Sequence, residues 1–143
     1  MLVTILYRSE GEPGVSGMKP FGFQDVSDGS WYHDAVTWAY NNNIVMGISD
    51  TEFAPAAIVT REQMAAILYR YSQYKNYDTA AAAVLTSYKD CLHISPWALD
   101  AMKWANAKGL ITGKSNGTLD PRGTATRAEA AAILTRFSTN VAS

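Results

Sequence analysis

The chain has 143 residues, of which 48% are hydrophobic and 17% charged, and its formal net charge is −1. A chain of this length can bury a real core, and the composition is that of an ordinary globular protein. The nearly balanced charge gives no reason to expect nucleic acid as a partner. No apolar run is long enough to predict a membrane span, and a single cysteine excludes an internal disulfide.

The sequence contains an internal repeat with an offset of 66 residues. The positions that keep the same residue type in both copies include Trp31/Trp97, Trp38/Trp104, Gly47/Gly113, Pro55/Pro121, Thr60/Thr126 and Arg61/Arg127. Repetition on this scale indicates one supersecondary unit used more than once. We expect repeats over residues 21–73 and 88–143, joined by a linker at 74–87.

The N-terminal segment, residues 1–20, looks like the end of a preceding repeat followed by a Gly/Pro-rich connection. Residues 2–8 match residues 64–70 with an offset of 62. The match predicts that the chain begins inside a second helix whose cap and first helix are absent. An apolar helix in that position would need cover, so we expect self-association through this incomplete repeat as one option.

The first helix of each repeat follows an aromatic-x-Asp segment that ends at Asp25 or Asp90. Offsets of four, seven and eight residues place the apolar positions on one helical face. The predicted stripes are Trp31, Ala35, Trp38 and Ala39 in one copy and Trp97, Ala101, Trp104 and Ala105 in the other. Stop signals predict that these helices end near Asn43 and Gly109.

The second helix of each repeat is predicted to begin at Thr60 and at Thr126, after a Gly/Asp/Asn turn and a proline. Thr60 with Gln63, and Thr126 with Glu129, have the spacing of a capping box, in which two side chains satisfy exposed backbone donors. The expected buried stripes are Met64, Ile67, Leu68 and Tyr71, and Ala130, Ile133, Leu134 and Phe137. The pattern as a whole predicts helix–loop–helix repeats.

Taken together, four motifs resemble the S-layer homology (SLH) family. They are the aromatic-x-Asp-Val opening, the Trp-x-x-x-Ala-Val-x-Trp-Ala helix, the Gly-x-x-Asp/Asn-x-x-Phe/Leu-x-Pro loop and the Thr-Arg-x-Gln/Glu helix start. The resemblance covers most of residues 1–12 and 21–137. It implies an all-α fold with SLH-type repeats around a pseudo-threefold helical bundle, a three-pronged spindle with one prong incomplete.

The resemblance also implies a function and a location. SLH modules anchor S-layer proteins or exported enzymes at the bacterial cell surface. Their ligand is a secondary cell-wall polysaccharide linked to peptidoglycan, often one that carries ketal-linked pyruvate. We therefore expect an extracellular, non-catalytic module that binds an anionic glycan and needs no cofactor and no metal.

By the same resemblance, six residues are expected at the glycan: Arg61, Arg127, Asp25, Asp90, Trp31 and Trp97. A guanidinium presents a planar fork suited to a carboxylate. At the first turn of a helix it adds to exposed N–H groups and the positive end of the helix dipole. An indole face suits the apolar side of a pyranose, and a carboxylate can accept from sugar hydroxyls.

Plainer interpretations stay open for the same residues. The threonines with their Gln and Glu partners are capping residues first. Without the resemblance, an arginine at a helix start is a solvated or ion-paired surface residue. Asp25 and Asp90 could cap a turn, whereas Trp38 and Trp104 are expected in the core.

Two other functions were weighed against glycan anchoring. The first is a structural or oligomerisation module of a surface-layer or exported protein, with no glycan ligand. The second is an enzyme, which the sequence disfavours because His33 and His93 occupy different repeat positions. No metal-ligand spacing, nucleophile elbow or Gly-rich phosphate loop is present in the sequence either.

Overall fold

The computed structural model describes residues 2–19, 26, 29–45 and 60–142, and the regular secondary structure in these ranges is helical. These ranges contain five α-helices: α1 (Leu2–Ser9), α2 (His33–Asn41), α3 (Arg61–Tyr74), α4 (Leu99–Ala107) and α5 (Arg127–Asn140). Two 3₁₀ turns, Cys91–His93 and Pro96–Ala98, precede α4, and the described ranges hold no β-strand. The predicted all-α class is confirmed, whereas the three-pronged arrangement stays a prediction.

Two compact units divide the chain: unit 1 is Met1–Ala57 and unit 2 is Ile58–Ser143. In unit 1, α1 packs on α2, and in unit 2, α3 packs on α4. Each unit therefore pairs the second helix of one repeat with the first helix of the next. The compact units and the sequence repeats are out of phase, which matters for the site below.

The core of unit 1 lies between α1 and α2. The predicted positions Ala35, Trp38 and Ala39 are buried, and so is the apolar side of α1, including Val3 and Leu6. The Tyr7 ring lies against Trp38 with a centroid separation of 5.6 Å. The α1 stripe that would need cover is thus covered inside unit 1.

The core of unit 2 repeats this arrangement with a larger set of side chains. Ala101, Trp104 and Ala105 of α4 are buried as predicted. Tyr69 lies 5.4 Å from the Trp104 ring, which reproduces the aromatic pair of unit 1. The indole N–H of Trp104 donates to the carbonyl of Asp78 at 3.1 Å, so burial leaves no unpaired polar atom on this side chain.

Each of the first four helices is followed by a residue with left-handed backbone geometry. The residues Gly11, Asn43, Asn76 and Gly109 follow them with φ between 58° and 79°. After α2, for example, the Asn43 N–H donates to the Tyr40 carbonyl and the Ile44 N–H donates to the Ala39 carbonyl. This pair of bonds is the Schellman motif, which needs a left-handed residue. The predicted ends near Asn43 and Gly109 are confirmed.

The first helices begin two residues later than the apolar stripe predicts. Trp31 precedes α2, which starts at His33, and Trp97 lies in the 3₁₀ turn before α4, which starts at Leu99. Their side chains are 69% and 54% exposed, respectively. These two tryptophans fit the spacing of the apolar stripe, but they lie before the helices and outside the cores.

The second helices begin where the capping pattern predicts, with Thr60 and Thr126 as N-caps. Met64, Leu68 and Tyr71 of α3 are buried, whereas Ile67 is only partly buried. In α5 only Ile133 and Phe137 are buried among the described residues. None of the five helices in the described ranges has the length and apolar character needed to cross a bilayer.

Candidate functional site

The start of α3 carries a complete capping box. The Thr60 hydroxyl oxygen accepts from the Gln63 N–H at 3.2 Å, and the Gln63 side-chain oxygen accepts from the Thr60 N–H at 3.0 Å. These two bonds satisfy donors that the first helical turn leaves exposed. The sequence pattern and the local geometry agree at this helix start.

Two further donors at the start of α3 are taken by the loop of the following repeat. The Arg61 N–H donates to the Gly123 carbonyl at 3.0 Å, and the Glu62 N–H donates to the Pro121 carbonyl at 2.8 Å. Carbonyl oxygens of the chain thus meet the positive end of this helix, where an anion would otherwise bind.

The guanidinium of Arg61 is buried, with 6% of the residue exposed. Its Nε donates to the Leu119 carbonyl at 2.9 Å, and one terminal nitrogen donates to the Thr112 carbonyl at 3.1 Å. The other terminal nitrogen forms a 2.9 Å ion pair with Glu129 of α5. Arg61 therefore ties the start of α3 to the loop and to the second helix of the next repeat.

Glu62 is a buried carboxylate beside Arg61, with 4% of the residue exposed. One of its oxygens accepts from the Ser95 hydroxyl at 2.7 Å, and the other accepts from the Ser95 N–H at 2.9 Å. Ser95 directly precedes the 3₁₀ turn that carries Trp97. Glu62 thus fixes the backbone from which this exposed tryptophan projects.

The start of α5 has the same residue types in a different environment. The Thr126 hydroxyl accepts from the Glu129 N–H at 3.1 Å. The Glu129 carboxylate pairs with Arg61 instead of returning to the Thr126 N–H, so only half of the predicted capping box is formed. Arg127 is exposed, and within the described part of the chain its guanidinium has no partner.

Asp90 holds the loop that leads towards α5. Its two carboxylate oxygens accept from the N–H groups of Leu119 and Asp120, each at 2.9 Å. Partial burial opposes ionisation, but these backbone donors, together with its own N–H and nearby His93, lower the pKa of Asp90 below its ordinary value. Asp25, the matching residue of the first repeat, lies outside the described residues.

The other end of the same loop is set by Tyr88 and Gly113. A Cβ at Gly113 would overlap the Tyr88 ring, so only glycine fits there. Tyr88 and Asp90 therefore contact the two ends of one loop, at Gly113 and at Leu119. This packing explains why position 113 holds a glycine.

Replacing Asp90 by Asn is expected to lower the free energy of unfolding by about 1–2 kcal/mol near neutral pH. An amide cannot accept from both backbone donors in the way a carboxylate does. Because the folded-state pKa of Asp90 is depressed, its contribution is full above the unfolded pKa of about 3.9 and is lost as pH falls through the folded pKa. Urea unfolding of both proteins between about pH 7 and pH 3 tests this: the gap should narrow on acidification, and a constant gap would contradict it.

The candidate residues fall into two groups. Trp31, Trp97 and Arg127 present side chains to solvent. Arg61 and Asp90 direct their polar atoms at the chain's own backbone. In the described ranges, no three His, Cys, Asp or Glu side chains come together in a way that could hold a metal ion.

Comparison with known proteins adds the family. The profile of the S-layer homology domain matches residues 22–65 and 87–131, one match in each repeat. The two matches cover most of the chain and include both Thr-Arg motifs at the helix starts. The chain belongs to the S-layer homology domain family.

Segments similar to this chain occur in several larger bacterial proteins. An amylopullulanase of Thermoanaerobacterium thermosulfurigenes is 38% identical over 116 residues, which are 78% of this chain and 6% of that protein. The surface-layer 125 kDa protein of Lysinibacillus sphaericus is 34% identical over 122 residues, 83% of this chain and 10% of that protein. A cellulosome-anchoring protein of Acetivibrio thermocellus is 28% identical over 114 residues, 80% of this chain and 25% of that protein.

The chain thus spans a quarter or less of each of these relatives. The predicted family is confirmed by the two profile matches. The expected cell-surface location is confirmed by the same matches and by the surface-layer relative.

Proposed function

We propose that this chain is a non-catalytic module that anchors its parent protein to the bacterial cell wall. One observation carries the proposal: the same segment occurs in an amylopullulanase, a surface-layer protein and a cellulosome-anchoring protein. The names of these proteins point to no shared reaction, but attachment to the cell surface is a role that the segment could have in each of them. The segment is a small fraction of the amylopullulanase, which leaves ample chain elsewhere for its catalysis.

The proposed ligand is an anionic secondary cell-wall polysaccharide linked to peptidoglycan, with a pyruvate ketal as the acidic group. Arg127 supports this choice because its exposed guanidinium stands at the positive end of a 14-residue helix. The exposed indoles of Trp31 and Trp97 offer faces for sugar rings. Repeated contacts along one polymer raise retention through effective concentration.

The six residues have unequal roles in this proposal. Arg127, Trp31 and Trp97 contact the sugar directly. Arg61 and Asp90 act by holding the loop between residues 112 and 123, to which their hydrogen bonds run. Asp25 is assigned to the glycan from its repeat position alone.

The test is co-sedimentation with isolated wall sacculi before and after chemical removal of the secondary polymer. Binding should be lost when the polymer is stripped, although the peptidoglycan remains. Unchanged binding to stripped sacculi would rule out the polymer as the ligand.

Replacing Trp97 by Ala should weaken binding of the wall polymer by about 3–10-fold, because an aromatic face contributes about 0.5–1.5 kcal/mol. Stability should change little, since the side chain is 54% exposed. Leu92→Ala is the matched control, because Leu92 is an apolar side chain of the neighbouring turn with 93% exposure. Equal affinity of the Trp97 and Leu92 variants, measured by sedimentation with native sacculi, would remove Trp97 from the site.

A structural module without a glycan ligand is the second candidate. α5 favours it, because α3 buries eight residues whereas α5 buries two among the described positions. The α3 face is covered by α4, so the proposed occupant of the α5 face is the α4-type helix of a second copy. Self-association through the N-terminal segment is the other route that the sequence suggests. Light scattering at increasing protein concentration tests both routes. A measured mass that stays at the monomer value of 15.6 kDa would rule out self-association by either route.

A further inference from the structure

An Asn-Gly pair, Asn116 and Gly117, lies at the tip of the loop that Arg61 and Asp90 hold. Every other asparagine of the chain is followed by a residue with a side chain. Asn116 is exposed to solvent. Because glycine has no Cβ, the peptide nitrogen that follows Asn116 is open to a close approach by the side-chain amide.

The loop tip, residues 114–118, is a three-residue hairpin turn. The Lys114 N–H donates to the Thr118 carbonyl at 2.8 Å, and the Gly117 N–H donates to the Lys114 carbonyl at 2.9 Å. Gly117 has a φ of 81°, the left-handed residue that closes such a turn. In the closed turn the Gly117 nitrogen therefore keeps its proton in a hydrogen bond.

The side-chain amide of Asn116 is also held by the loop tip. Its oxygen accepts from the Thr118 hydroxyl at 2.6 Å and from the Thr118 N–H at 3.2 Å. The amide and the neighbouring nitrogen are thus close in sequence but occupied by separate hydrogen bonds. These bonds have to break before the two groups can react, so reaction requires a local opening of the turn.

We propose that Asn116 is a self-modification site, at which the loop tip converts the asparagine to aspartate or isoaspartate when it opens. The Gly117 nitrogen gives its proton to water and attacks Cγ of Asn116. A bond forms between this nitrogen and Cγ, and the bond from Cγ to the amide nitrogen breaks, so that ammonia leaves after taking up a proton. Water then opens the cyclic imide at either of its carbonyls, and nothing is oxidised or reduced.

The two products have different consequences for the loop. Aspartate leaves the backbone unchanged, and the first repeat has Asp50 at the equivalent position. Isoaspartate routes the backbone through Cβ and Cγ, which adds one carbon between Asn116 and Gly117. The longer chain cannot keep both hairpin bonds, nor the 3.0 Å bond from the Lys89 N–H to the Gly117 carbonyl. Isoaspartate should therefore loosen the loop that Asp90 holds from the adjacent position.

The test follows native protein, Thr118→Val and Thr118→Ser during incubation at mildly alkaline pH, with peptide mapping by mass spectrometry and isoaspartate methyltransferase labelling. Native protein should be converted at Asn116 before any other asparagine. Thr118→Val should react about 3–10-fold faster, because one hydrogen bond that closes the turn is missing. Thr118→Ser keeps the hydroxyl and should react at the native rate.

Thr135→Val is the matched control, since the exposed Thr135 hydroxyl donates to the Ala131 carbonyl within α5, outside the loop. Its conversion at Asn116 should equal that of native protein. Urea-unfolded protein should react fastest, because its turn is always open. Circular dichroism of each variant before incubation verifies native helix content.

The isoaspartate form, separated by ion exchange, should unfold at a lower urea concentration than Asn116→Asp. Three results would overturn the proposal. The first is no conversion at Asn116 in folded protein while the unfolded protein reacts. The second is an equal or lower rate in Thr118→Val, which would mean that the hydroxyl does not restrain the amide. The third is equal urea stability of the isoaspartate form and Asn116→Asp.

Discussion

Arg61→Ala is expected to lower the free energy of unfolding of unit 2 by about 3 kcal/mol, whereas Arg127→Ala should change it by less than about 0.5 kcal/mol. The buried Arg61 guanidinium forms three hydrogen bonds, one of them an ion pair with Glu129. Its removal leaves two loop carbonyls and a carboxylate without their donor. Arg127 has the same sequence context but is exposed. Urea unfolding followed by circular dichroism measures both variants.

Arg127→Ala is the matched control for Arg61→Ala, because the two arginines follow equivalent capping threonines. The sacculus assay should give the opposite order when binding is corrected for the folded fraction. Arg127→Ala should lose retention while staying folded. Similar losses of stability in the two variants would contradict the different environments assigned to them.

Glu62→Ala is expected to cost about 3 kcal/mol, because hydrogen bonds to a charged group contribute about 1.5–3 kcal/mol and Glu62 accepts two from Ser95. The buried N–H and hydroxyl of Ser95 would lose their acceptor. Trp97 should also lose its fixed position, so polymer binding should weaken together with stability. Urea unfolding and sacculus binding measure the two effects.

Ser95→Ala separates the contribution of the Ser95 hydroxyl from that of the Ser95 N–H. It removes one of the two hydrogen bonds and should cost about 1 kcal/mol. The double variant should be less destabilised than the sum of the single variants, because both act on one contact. Additive losses would show that the Ser95 hydroxyl does not contribute to the stabilisation by Glu62.

Local sequence signals predicted the helix boundaries well. A threonine followed three residues later by Gln or Glu gave the starts of α3 and α5, and Asn43 and Gly109 gave the ends of α2 and α4. These signals work because a helix end is satisfied by residues within one turn of it. Periodicity also placed Trp38 and Trp104 correctly in the cores.

The surroundings of the two arginines could not be predicted from the repeat. The carbonyls that Arg61 contacts belong to residues 112 and 119, more than fifty positions along the chain. A repeat preserves residue types, but a residue at the edge of one repeat is surrounded by the next. Arg61 is followed by another repeat in the described fold, and so its guanidinium is enclosed.

The starts of α2 and α4 were not predicted, because periodicity does not mark where a helix begins. Trp31 and Trp97 fit the helical stripe in spacing, yet α2 and α4 start two positions after them.

The most direct test of glycan anchoring is a calorimetric titration of the protein with purified secondary wall polysaccharide, native and carboxyl-reduced. The native polymer should bind at least tenfold more tightly, because its acid groups meet guanidinium groups that the reduced polymer cannot engage. Equal affinity for the two polymers, or no heat with either, would contradict recognition of an acidic glycan by this module.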